Sequence, residues 1–224
     1  MSWSDAFFDN SEKREQVIRK NQELRELMKN NFRATNQLIE ILNKHLGLNF
    51  TLITLNNDAT IKENCDVMIK RMDEIRAKIE EIDKVLKEKL DSALYENLRN
   101  LSASVKDYKA VSLVVHGVCG LLTFAAPFVI GWLIKSGRLL TNVTSTCARL
   151  CCGSLSSLTF GMLFLAIDIV IQIILGKKEN NELIKILKEY DEALKEFRPA
   201  SEKFQDNLTY VRVKLERILQ EGTV

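Results

Sequence analysis

The feature that most constrains this chain is the uneven placement of its charge. Residues 1–109 carry 19 basic and 19 acidic side chains, and residues 177–224 carry 10 of each. Between them, 110–176 holds only Lys135, Arg138, Arg149 and Asp168. Within that stretch, 110–134 has no formal charge and is bracketed by Lys109 and Lys135. The segment 150–176 has one charge, Asp168, and is bracketed by Arg149 and Lys177. Apolar runs of this length cannot stay in water; they go into lipid or into a protein core. About 20 mostly apolar residues suffice for a helix to cross the roughly 30 Å hydrocarbon layer, and both segments reach the hydropathy of spans. The expected architecture is all-α: long coiled-coil-forming helices flanking one or two transmembrane helices, the latter an apolar hairpin with candidate spans 110–134 and 150–176. The competing arrangement buries the central hairpin in protein until it inserts. A chain of 224 residues offers little surface to wrap two such helices, so insertion is the favoured expectation.

If both segments cross, 135–149 is the turn and both termini share one side. Lys106, Lys109, Lys177, Lys178, Lys185 and Lys188 on the outer flanks outnumber the three basic residues of the turn. The arms are therefore expected on the cytosolic side, of a membrane whose organelle the sequence does not specify. The opening Met1-Ser2-Trp3-Ser4-Asp5 is polar and acidic, so no cleavable signal peptide is expected and targeting falls to the internal segments. Trp3, Phe7 and Phe8 are expected to pack on the bundle.

The arms carry the period of coiled coils. Ile61, Cys65, Met68, Met72, Ile75, Ile79, Ile82 and Leu86 alternate steps of four and three, the spacing that keeps one apolar seam on one helix face. Leu90, Leu94 and Leu98 continue it in steps of four, a drift in supercoil phase. Thr60 and Glu63 form a capping box ahead of the seam. In the last arm Leu183, Leu187, Tyr190, Leu194, Phe197, Ser201, Phe204, Leu208, Val211, Leu215 and Ile218 follow the same rule, with Pro199 expected to kink or restart the helix. The first arm has a more polar seam, Val17, Asn21, Leu24, Met28, Asn31, Thr35, Leu38 and Leu42, suited to setting register or exchanging partners. Gly47 should end that helix, leaving 48–59 irregular or extended. The expected division is 1–60, an amphipathic helix and connection; 61–109, a coiled-coil helix; 110–176, the membrane region; and 177–224, a C-terminal amphipathic helix.

The chain resembles the single-pass membrane and coiled-coil domain-containing protein 3 family. The likeness rests on His45-Leu46-Gly47, on Thr60-Ile61-Lys62-Glu63-Asn64-Cys65-Asp66, on Asn142-Val143-Thr144 and on Ala200-Ser201-Glu202-Lys203. It spans most of the length, with 60–66 the most specific stretch. It implies an integral membrane protein with coiled coil, one span (most naturally the second segment) and no assigned biochemical activity. This sequence departs from that pattern in a first segment that is also apolar enough to insert.

Signs of chemistry are sparse. A carboxyl group inside a span costs about 2.5–3.5 kcal/mol on insertion scales, so Asp168 should face protein or water, or be protonated. With Gly153, Ser157, Gly161 and Gln172 it lies on roughly one helix face. His116, Gly120, Thr123 and Pro127 make a comparable stripe in the first segment, and small and polar residues favour helix–helix contact in lipid. His116 and Asp168, with Gln172 nearby, are candidates for a membrane-embedded polar pair; the plainer reading leaves Asp168 protonated and His116 at the interface. Cys147, Cys151 and Cys152 sit at the membrane edge beside Arg149 and could be acylated from the cytosol, against the default of unmodified small side chains. They lack the fourth ligand of a metal site. Sequons start at Asn49, Asn142 and Asn207, and no occupancy is expected. No phosphate loop, metalloprotease helix or nucleophile–base motif occurs, and balanced charge argues against a nucleic-acid partner. The sequence therefore predicts no enzyme, cofactor, metal or small-molecule substrate. Its expected partners are the lipid bilayer and, through the coiled coil, another protein or itself. The leading expectation is a membrane-anchored interaction scaffold; the alternative is a conditionally inserting bundle that permeabilises or remodels membranes.

Overall fold

The computed structural model describes residues 3–100, 111–114, 116–117, 126–135, 145 and 180–221. Over these the protein is all-α, without a strand among the described residues. Helix α1, Trp3–Leu46, contains neither Gly nor Pro to break its hydrogen-bond ladder. Its seam is the one the heptad spacing marks: Val17, Asn21, Leu24, Met28, Asn31, Thr35, Leu38 and Leu42 are all buried. Gly47 ends it with φ at 66° and its N–H on the Asn43 carbonyl at 3.1 Å. That left-handed turn needs a residue without Cβ strain.

The connection then folds back along α1, held by side-chain amides. Asn43 donates to the Phe50 carbonyl at 2.8 Å and accepts from the Phe50 N–H at 2.9 Å. Asn36 does the same for Ile53, at 2.8 and 2.9 Å. Seven residues on a helix advance about 10.5 Å, and three residues of extended chain advance about 9–10 Å. One heptad of α1 therefore matches the repeat of the extended segment. Each asparagine takes both main-chain groups of one residue, so the segment is satisfied without a β-partner. Leu48 and Ile53 are buried, and Arg71 lies over the Phe50 ring, 5.7 Å from its centre.

Helix α2, Ile61–Lys89, opens on the expected capping box. The Thr60 N–H donates to the Glu63 carboxylate at 2.7 Å, and the Glu63 N–H to Thr60 Oγ1 at 3.1 Å. These bonds hold the Glu63 carboxyl below its ordinary pKa, the Thr60 backbone N–H contributing most. Asn64 repeats the amide device, donating to the Asn56 carbonyl and accepting from the Asn56 N–H, both at 2.9 Å. All eight seam residues from Ile61 to Leu86 are 4% exposed or less. Each such aliphatic side chain contributes about 1.5–3 kcal/mol.

Two sequence expectations are corrected beyond Leu86. The helix does not run on through 109 as one coiled coil: α2 stops at Lys89, and a separate helix α3 spans Ser92–Asn100. Asp91 makes the break by capping α3, accepting the Leu94 N–H on its side chain at 2.8 Å and the Tyr95 N–H on its carbonyl at 3.0 Å. Of Leu90, Leu94 and Leu98 only Leu98 is fully buried, because steps of four carry the face away from the seam. Helix α4 is Ala126–Lys135. Helix α5, Asn180–Glu221, runs through Pro199 rather than restarting there. Pro199 and Lys195, whose carbonyl loses its donor, are both exposed, so water can take the missing bond.

The chain falls into two compact units, one drawn from 1–32, 54–68 and 146–204 and the other from 33–53, 69–145 and 205–224. Helices α1, α2 and α5 each contribute to both. Among the described residues no helix is long and apolar enough to cross a membrane. The candidate span 150–176 lies outside the described residues; of 110–134, residues 111–114, 116–117 and 126–134 lie within them.

Replacing Asn43 or Asn36 by Ala removes both bonds of one amide clamp and leaves half-buried main-chain groups unpaired. Each substitution should cost about 1–3 kcal/mol in guanidinium unfolding. Glu40→Ala, on the exposed face of the same helix, should stay within about 0.5 kcal/mol.

Candidate functional site

Two polar layers interrupt the seam of the first unit. Asn21, 5% exposed, donates from Nδ2 to the Tyr190 hydroxyl at 2.6 Å. Ten residues further on, the fully buried Asn31 donates to Ser201 Oγ at 3.0 Å. Ten residues on α1 are thus matched by eleven on α5, so the two helices run side by side in the same direction. At the rim Arg198 donates to Glu23 at 2.6 Å, and Lys20 pairs with Asp191. In the second unit Arg212 donates to Gln37 at 2.6 Å. Buried amides and hydroxyls tolerate no slippage, since a shifted register would strand them without partners. The polar residues of the α1 seam therefore set register within one chain. Burial pushes the Tyr190 phenol above its ordinary pKa, so it stays neutral in the seam.

The second unit contains the described part of the first apolar segment. In α4, Val129, Ile130 and Leu133 are fully buried, and Trp132 is 6% exposed. Consecutive buried positions surround the helix, as expected of one enclosed by protein. Helix α3 packs against it at Gly131. A Cβ on Gly131 would lie 2.9 Å from both Leu98 Cδ1 and the Leu98 carbonyl oxygen, closer than a backbone atom can yield. On its other side Tyr95 donates to the Asp83 carboxylate of α2 at 2.8 Å. Short contacts therefore join α2 to α3 and α3 to α4. A nine-residue helix is marginal on its own. Its fully buried residue, Leu98, contributes about 1.5–3 kcal/mol, and Tyr95 adds a half-exposed hydrogen bond to a carboxylate.

Asp168, Gln172, Cys147, Cys151 and Cys152 lie outside the described residues, and with them the proposed polar pair and acylation cluster. His116 is half-buried, and its Nδ1 has no hydrogen-bond partner among the described residues. Cys65 is fully buried in the α2 seam. Asn49 is exposed in the connection and Asn207 half-buried in α5. The described residues line one cleft of about 400 Å³ beside Glu96, Arg99, Asn100, Ile134 and Lys135, and another of about 440 Å³ beside Gln22, Arg25, Glu26, Lys29 and Asn57. No group of three His, Cys, Asp or Glu residues able to hold a metal occurs among the described residues.

Sequence reasoning missed the amide clamps of Asn36 and Asn43 and the Asp83–Tyr95–Leu98–Gly131 connection. The first had a visible signal, two asparagines one heptad apart beside the seam. The second had none, because it joins residues distant in sequence and outside any periodic pattern.

The fold and its polar seam define an all-α helical-bundle protein whose heptad seams are buried within a single chain. Residues 13–168, more than half of the chain, match the family described as "Protein of unknown function (DUF4533)", and the protein belongs to that family. No solved structure matches it.

A double-mutant cycle on Asn21→Ala and Tyr190→Phe should give a coupling energy of about 1 kcal/mol in urea unfolding, and an additive result would show that the layer carries no register. The Tyr95 phenol is pushed up to about 12 by burial and by the Asp83 carboxylate. The folded state then keeps this proton longer than the unfolded chain. Its stabilising contribution is complete below pH ~10 and is lost as pH rises from there toward 12. Tyr95→Phe should abolish the highest step in a tyrosinate absorbance titration.

Proposed function

We propose that this protein is a non-catalytic, membrane-active helical bundle that keeps its apolar centre against its own charged arms and delivers it to a bilayer on a trigger. The observation that carries this reading is the burial of α4, with Val129, Ile130 and Leu133 fully enclosed, inside a 25-residue stretch without formal charge, 110–134. That stretch has the length and composition of a span, yet its described C-terminal part is covered by protein. The likeness to the single-pass membrane and coiled-coil domain-containing protein 3 family supports a membrane setting, with the arms on the cytosolic side. In the inserted state, His116, whose Nδ1 is unpartnered among the described residues, would meet Asp168 and Gln172 across an apolar hairpin, and Cys147, Cys151 and Cys152 would lie at the membrane edge, where acylation could reinforce attachment.

The second reading is a constitutively anchored interaction scaffold. Buried seams leave it only the outer helix faces, where Tyr210 and Val213, one turn apart on α5, are 53% and 49% exposed. A partner would have to add a helix there, because exchanging the existing ones breaks the buried polar layers.

Carbonate extraction of the full chain from cell membranes separates the two readings. Release into the supernatant is expected for the conditional bundle; complete retention in the pellet would favour the scaffold. Protease protection of tags at both ends should show both accessible from the cytosolic side, and protection of one end would reject the hairpin.

A further inference from the structure

The extended connection after Gly47 shows what one flank of α1 can hold. Asn43 and then Asn36 each take the carbonyl and the N–H of one residue, Phe50 and then Ile53, so the connection runs toward the N-terminus of α1. A heptad repeat returns to one side of a helix, and the next two positions of this row are Lys29 and Gln22. The connection does not go on to use them. Asn56 turns it instead: its side chain accepts the Asp58 N–H at 2.9 Å, and its carbonyl accepts the Ala59 N–H at 3.3 Å. Asn64 of α2 holds the Asn56 main chain. Beside that turn Gln22, Arg25, Glu26, Lys29 and Asn57 line the cleft of about 440 Å³. The neighbouring heptad row reads Leu46, Ile39, Phe32 and Arg25. Its first three members are buried, so a cation stands in the cleft where the buried part of the row is apolar.

We propose that this cleft docks a short extended peptide of another protein that carries an acidic side chain. The peptide main chain lies along α1 as the connection does, and its carboxylate meets Arg25 and Lys29. Gln22 offers the same amide as Asn36 and Asn43, able to donate to a carbonyl and accept from an N–H, and Asn57 offers a second. One heptad separates Gln22 from Lys29, about 10.5 Å of helix, which matches about three residues of extended chain. Charge selects the side chain. Arg25 and Lys29 outnumber Glu26, whose carboxylate pairs with Lys29 at 2.7 Å in an exposed contact. Exposed pairs of this kind are worth little, so an incoming carboxylate can replace Glu26. A second copy of the connection is the poorer occupant, because residues 46–57 contain no acidic side chain. The site is independent of whether the apolar centre inserts into a bilayer.

The probe is the capped peptide acetyl-Thr-Leu-Asp-Thr-Leu-amide, the sequence of residues 51–55 with Ile53→Asp, which keeps the composition of a segment already extended on α1. It is titrated into the full chain in zwitterionic micelles, with the side-chain amides of asparagine and glutamine isotope-labelled for magnetic resonance. The Gln22 and Asn57 amide signals should move as it binds. The same peptide with lysine in place of its aspartate should bind about 10-fold more weakly. Gln22→Ala and Lys29→Ala, read at Asn57, should each weaken binding about 5-fold, and so should N-methylation of the peptide aspartate, which removes its N–H. Both residues are exposed, so neither substitution should alter helical circular dichroism. Lys188→Ala, an exposed cation of α5 outside the lining, should leave the titration where it was. Absence of any shift, equal affinity for the aspartate and lysine peptides, or indifference to both Gln22→Ala and N-methylation would each overturn the site. Acetate producing the same shifts at equal concentration would reduce it to an anion contact and overturn the peptide reading.

Discussion

The fold depends on hydrogen bonds buried in a place designed by its period to be apolar. The α1 seam is the usual alternation of apolar positions, but Asn21 and Asn31 sit in it and bond Tyr190 and Ser201 across it. Each pair fixes α5 at one height on α1, because a slide by a heptad would leave an amide and a hydroxyl without partners in a dry interior. Apolar contacts supply most of the stabilisation; the polar layers choose which of several similar registers it stabilises. The cost is a seam weaker than an all-aliphatic one.

The same residue type solves a second problem. A chain leaving one helix and returning alongside it in extended form carries main-chain groups that no sheet is there to satisfy. Asn36 and Asn43 on α1, and Asn64 on α2, each answer with an amide whose donor and acceptor match one residue's carbonyl and N–H. The match works because a heptad of helix and three residues of extended chain advance by nearly the same distance. The connection is thereby made as definite as the helices it joins, and the start of α2 is placed by it together with the Thr60–Glu63 cap.

The contacts around α4 are of another kind. Leu98 of α3 rests where Gly131 has no side chain, and Tyr95 of the same short helix donates to Asp83 of α2. Helix α4 comes from a stretch without formal charge, and its consecutive positions Val129, Ile130, Trp132 and Leu133 are buried, so here packing is apolar on every side where the α1 seam relies on polar layers.

The sequence by itself determined the secondary structure of the arms and the identity of their buried faces. Heptad spacing picks out Ile61 to Leu86 and Val17 to Leu42, and those residues are buried, because the period of a helix is a local property that each residue reads from its neighbours. Gly47 and the Thr60–Glu63 box likewise announced a helix end and a helix start in their own dipeptide and tetrapeptide chemistry. The end of α2 was legible only in part: Asp91 is a good cap, but steps of four through Leu98 read as continuing helix. At Pro199, where a kink or a restart was expected, the helix does not restart, since whether a proline breaks a helix depends on whether water can reach the orphaned carbonyl. What only the tertiary structure decided was which faces meet. Nothing local tells Asn21 that its partner is Tyr190, 169 residues on, or Leu98 that it will rest on Gly131, because such pairings are set by the energy of the whole packed chain and not by any segment within it.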